Sequence, residues 1–257
     1  MPQIAQLLVP ELLFAFLLVL TRLGGMFMML PGFGEVFISP RIRLGLAVLV
    51  SFAMFPLVKN GLPPLPPDAY GMTSLIVREA LIGAFIGAFT RVVLTCLEVG
   101  GMVISTQMGI SAAVMFNPVL ATQGSLISVF LTLAGIEMMF LTDLHHLFFY
   151  AMQDSYQIFP PGGAMPVEEM SQTFSQVVNR SFKIAVQISA PFLVLGVVFF
   201  VGMGLLARLM PQMQVFFIAM PLQILLGLLL ISVSFSAMLL LYLDFFNDSM
   251  SPFLVPR

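Results

Sequence analysis

Six stretches of this chain are apolar almost without interruption: Leu12 to Leu30, Leu44 to Val58, Ala80 to Leu97, Leu126 to Leu141, Ile184 to Ala207 and Val215 to Leu243. Arg22, Arg91 and Glu137 are the only Asp, Glu, Lys or Arg residues inside them. Most of the six are long enough to span, or nearly span, bilayer hydrocarbon as helices. This predicts an all-α chain of the membrane class. Composition agrees: of 257 residues 60% are hydrophobic and 9% charged, with a mean hydropathy of +1.07.

Between the stretches lie loops in which proline and glycine forbid regular helix, notably "KNGLPPLPPDAYG" at Lys59 to Gly71 and "FPPGGAMPVEEM" at Phe159 to Met170. After the second loop, Met170, Phe174, Val177, Val178 and Phe182 recur at helical spacing, so an amphipathic helix leads into the fifth stretch. Glu168 and Glu169 sit where a helix N-terminus favours negative charge. The last eighty or so residues read as a hairpin of two long apolar helices, turned at "RLMPQMQ", Arg208 to Gln214, with Pro211 as the breaker. The N-terminal "MPQIAQLLVPELLF" lacks the basic leader and cleavage site of a secretory signal, so the first stretch is expected to remain in place.

Three features argue against six spans bathed in lipid. Arg22, Arg91 and Glu137 need protein or water around them, because a lipid-facing charge costs roughly 2.5–3.5 kcal/mol. Basic residues fall on both sides of the predicted spans and define no orientation. With 26 Phe, 4 Tyr and no Trp, the aromatic rings suit packing against other subunits better than anchoring at headgroups. "GAFIG" at Gly83 to Gly87 adds a GxxxG pair, whose small residues let helix backbones approach closely.

Chemistry-bearing residues are sparse. His145 and His146 with Asp143 are read as a helix-end group in preference to a metal site or proton relay, because no further Cys or His completes a shell. Arg91 and Glu98, seven residues apart, lie on one helix face and read as members of a structural ion pair. Cys96 is a lone apolar-segment thiol. HExxH, GxSxG and phosphate-cradling glycine loops are absent, so the sequence predicts neither an enzyme nor a cofactor. A formal charge of −2 without a basic patch excludes nucleic acid as a partner.

One segment fits none of these patterns. From Val99 to Ile136 there is no Asp, Glu, Lys or Arg, yet "GGMVISTQMGISAAVMFNP" is too rich in Ser, Thr, Gln, Asn and Gly for lipid. Deformable side chains such as Met108 and Met115 suit a compliant seal.

"PGFGEVFISPRIRLGLAV" at Pro31 to Val48, "REALIGAFIG" at Arg78 to Gly87, "QMGIS" in the neutral segment and "LARLMPQMQVFFIAMPLQILLG" at Leu206 to Gly227 resemble the FliR family of flagellar export-gate proteins, related to a component of virulence type III secretion. The motifs run in order along essentially the whole chain. The resemblance implies a non-enzymatic part of the flagellar gate in the bacterial inner membrane at the basal body. It implies a pore built with FliP and FliQ, adjoined by FlhB and FlhA, passing unfolded flagellar proteins and lying partly above the membrane plane. It also implies that residues 1–174 are FliP-like and 175–257 a FliQ-like hairpin.

On the same grounds a central loop, about 105–125, plugs the closed pore, with Gln107, Met108, Gly109, Ile110, Ser111, Met115, Phe116, Asn117 and Pro118 as its residues. Gly83, Gly87, Arg91, Glu98, Pro211, Gln212 and Pro221 are assigned to helix packing and assembly. Asn117 stands before Pro118 where relatives often carry Asp, and Gln214 where many carry Asn. A pore-closing segment explains the odd composition, since it must avoid charge yet tolerate water. The alternatives are a virulence secretion gate and a small-solute transporter with helices broken near Pro191 or Pro221. An intramembrane hydrolase lacks a recognisable nucleophile and base.

Overall fold

A computed structural model of the chain describes residues 2–35, 37–110, 125–210 and 215–255. Among the described residues there are seven α-helices: α1 Pro2–Met29, α2 Pro40–Val58, α3 Ala69–Gln107, α4 Leu126–Leu141, α5 His146–Ile158, α6 Val167–Leu209 and α7 Val215–Met250. Short 3-10 turns follow α2 and α7. Among the described residues there is no strand. Within those residues five helical segments are long and apolar enough to cross a membrane, and α4 with α5 make a sixth if counted as one interrupted span.

Local sequence sets the helix ends. Pro40 opens α2, where its missing N–H costs nothing. Asp68 caps α3 by accepting the Gly71 N–H at 2.9 Å. Glu168 and Glu169 occupy the first turn of α6, and Arg208 its last. The apolar periodicity after the Phe159–Met170 loop and the fifth stretch join into the single helix α6. Likewise the third stretch is only the middle of α3. At 39 residues α3 is about 58 Å long, and α6 at 43 residues about 65 Å, against roughly 30 Å of hydrocarbon. Helices of that length extend well beyond a bilayer unless steeply tilted.

The chain packs as two compact units. The first is formed by Met1–Val93, Thr142–Val177 and Asp248–Arg257. Its core holds Leu18, Leu23, Met26, Phe27, Ile86 and Phe89, all at most 2% exposed. Phe85 there meets Phe159 and Phe253 edge-on, and Phe89 meets Phe253 with ring centres 4.8 Å apart. Asp154 accepts the Val255 N–H at 3.0 Å, which ties down the end of the chain.

The second unit is formed by Leu94–Leu141 and Val178–Asn247. Leu97, Leu131, Ile188, Phe192, Tyr242 and Phe246 are buried. Gly135 leaves room for Leu97 and for the Tyr242 ring, whose edge lies 3.2 Å from where a Cβ would stand. Large apolar side chains nevertheless remain exposed along α6 and α7, including Val194, Val197, Val201, Leu222, Leu225 and Val233. Lipid or another protein must cover such a face.

Candidate functional site

The segment 105–125 begins at the C-terminus of α3, and the second unit holds that end. The last carbonyls of a helix have no intrahelical partner. Here the Gln107 carbonyl accepts a hydrogen bond from the Gln223 side-chain amide of α7 at 2.6 Å. Gly109 then takes a left-handed conformation, φ 73°, in which a side chain is strained. Glycines of α6 and α7 accommodate the neighbouring side chains: the Gln107 amide fills the space a Cβ on Gly196 would need, and Met108 fills that of Gly227. Met108 is buried.

The far end of the segment is held as well. Ser125 caps α4 through the Ser128 N–H at 3.3 Å, and the Ser128 hydroxyl donates to the Glu98 carbonyl of α3 at 2.9 Å. Gly101 faces Ser128 so closely that a Cβ there would collide with its backbone. Of the residues assigned to a plug, Gln107, Met108, Gly109 and Ile110 are therefore placed. Ser111, Met115, Phe116, Asn117 and Pro118 lie outside the described residues, as do Pro211 and Gln212. Pro221 lies within α7, exposed, two residues before Gln223.

The first unit holds a fully buried ion pair. Arg22 of α1 is fully buried, and its Nε and Nη2 both donate to the Glu79 carboxylate of α3. Its Nη1 donates to the Ser155 carbonyl and hydroxyl, and Nη2 also to the Phe159 carbonyl. All five guanidinium hydrogens are thereby used. Tyr156 lies 4.2 Å from the guanidinium carbon, ring face toward it. The Ser155 carbonyl also accepts the Phe159 N–H that caps α5, so one cation neutralises Glu79, braces a helix terminus and joins three helices.

Next to this cluster, Gly83 lies directly against the Arg22 carbonyl, leaving no room for a Cβ, and Gly87 sits over Met26 and Met29. This close approach of α1 and α3 is within one chain. Arg91, half-buried, pairs with Glu35 in the α1–α2 connection. Arg43 secures that connection by donating to the Glu35 and Ile38 carbonyls, at 2.6 and 3.0 Å.

Asp143, His145 and His146 come together between α4 and α5, their potential ligand atoms within 4.8 Å of one another. His146 is the first residue of α5. The positive end of that helix opposes a bound cation, and Asp143 and His146 are exposed.

Sequence reasoning missed Gln223 and the pairing of Arg22 with Glu79. A signal existed for both: a lone amide in "PLQILLG" and a lone guanidinium in an apolar run must each find a partner if buried.

Helices that outreach a bilayer, apolar outer faces and a charge pair neutralised inside define an all-helical integral membrane protein. The family model for "Bacterial export proteins, family 1" matches residues 13–249, and the chain belongs to that family of type III export components. It is similar to the flagellar biosynthetic protein FliR of Caulobacter vibrioides, 38% identical over 92% of this chain and 94% of the relative. FliR of Bacillus subtilis is 28% identical over 91% and 90%. The Yop proteins translocation protein T of Yersinia pestis is 26% identical over 84% of each chain.

Proposed function

We propose that this protein is a non-enzymatic subunit of the flagellar export gate, which forms a pore with FliP-like and FliQ-like proteins and closes it with the segment 105–125. The single observation that carries the reading is a charge-free, amide- and hydroxyl-bearing segment whose two ends are fastened to α3 and α7 in a member of the export family. A pore-closing element needs fixed ends, apolar bulk to exclude ions, and no charge that would hold a passing chain. Residues 1–174 take the FliP-like part and 175–257 the FliQ-like hairpin. Gly83, Gly87, Arg91, Glu98, Pro211, Gln212 and Pro221 serve packing and assembly. The complex sits in the bacterial inner membrane at the flagellar basal body, next to FlhB-like and FlhA-like partners.

Co-purification from a native membrane with FliP-like and FliQ-like proteins tests the assembly, and recovery of the chain alone would count against it. A gate for virulence secretion is the second reading, favoured by the likeness to the Yersinia protein. Deletion of the gene separates the two: loss of motility supports the flagellar role, and loss of secreted effectors with normal motility the other.

A further inference from the structure

Helix α3 stops where three features of the α6–α7 hairpin meet three consecutive residues. The Gln223 amide satisfies the Gln107 carbonyl, Gly196 and Gly227 make room for the Gln107 and Met108 side chains, and the Gln223 Oε1 lies 3.1 Å from where a Cβ on Gly109 would stand. Gln223 is 6% exposed. A buried amide on an otherwise apolar helix is costly unless both its ends are used. Here one end binds a helix terminus while the other crowds the residue at which the chain turns out of the helix.

We propose that Gln223 is the positioning residue of the pore-closing segment: by capping α3 it fixes Gly109 as the point of departure and sets the direction in which the chain leaves. This rests on the reading of 105–125 as that segment. The anchor is static. Opening leaves the junction of Gln107 and Met108 with α7 intact.

The test uses the complete export complex, with ion conductance across the membrane and export both measured. Gln223→Met keeps the volume and removes the donor. Loss of one buried donor is expected to raise the resting conductance about tenfold while the complex is recovered in normal amount. In that background a Met108→Cys/Gly227→Cys pair supplies the restraint covalently, since the Met108 Cβ is 3.1 Å from the Cβ position on Gly227 and need give only slightly for a disulfide. Cys96 is wholly buried and does not compete.

Oxidation should restore low conductance and leave export running, and reduction should reverse the first effect. Unchanged conductance in Gln223→Met, no rescue on oxidation, or export blocked by the crosslink each overturns the proposal. So does a variant that fails to assemble even when crosslinked, because Gln223 would then serve folding and not positioning. If deletion of residues 107–117 itself causes no leak, the pore-closing reading fails first. If the deletion leaks and Gln223→Met does not, only the role of Gln223 is lost.

Discussion

Arg22 and Glu79, fifty-seven residues apart, face each other through two hydrogen bonds in the first unit, with both side chains shielded from solvent. Neither charge is tolerable there alone. Glu79→Gln is expected to destabilise the protein by about 3–5 kcal/mol, because it leaves a buried guanidinium without its counter-charge. Replacing both, as Arg22→Met with Glu79→Leu, should cost less than the single change. Thermal unfolding of the purified complex in detergent checks the order, and a double variant weaker than the single would refute it.

Glycine replacements should separate by position. A methyl group at Gly83 meets the Arg22 carbonyl, whereas nothing lies within 4 Å of a Cβ at Gly202. Gly83→Ala should lower stability by about 1–3 kcal/mol. Gly202→Ala should be neutral or raise it by up to about 1 kcal/mol, from helix propensity. Equal melting temperatures for the two variants would contradict the packing described.

Removing residues 107–117 should make the assembled complex conduct ions at rest. Conductance across membranes that carry the variant complex is the measurement. A value equal to that of the intact protein would exclude a sealing role for the segment.

The Arg91–Glu35 pair is a weaker element, because Arg91 is 38% exposed. Glu35→Gln is expected to cost about 1 kcal/mol or less, with the difference shrinking in high salt. Unfolding measured at two ionic strengths decides this, and a loss as large as that of Glu79→Gln would show the ranking to be wrong.

Asp143 adopts φ 59°, a conformation that favours glycine. Asp143→Gly should therefore stabilise the corner by about 1 kcal/mol, since the contact with His146 at 4.0 Å is exposed and contributes little. A fall in melting temperature would mean that the carboxylate has a more important partner.

Much of the helical framework is legible in the sequence because apolar runs and prolines act locally. The breaks at Lys59–Gly71 and Phe159–Met170, the acidic first turn of α6 and the two long final helices each depend on residues close in sequence. Helix length is less legible: the third apolar stretch underestimates α3, whose ends carry Thr, Ser and Gln on turns that still propagate the helix. Pairing is least legible. That Arg91 pairs with Glu35, Arg22 with Glu79 and Gln223 with Gln107 follows from how helices far apart in sequence pack: the sequence signals that a partner is needed, and spacing does not name it.

The absence of Asp, Glu, Lys and Arg from Val99 to Ile136 has an electrical corollary. A transmembrane voltage does work on charge, about 2.3 kcal/mol per elementary charge for each 100 mV. On a stretch of chain with no formal charge, fastened by an equally neutral amide, an energised membrane has no direct lever. On the proposed pore-closing role, what shifts it must do so by touch, through an arriving polypeptide or a neighbouring subunit.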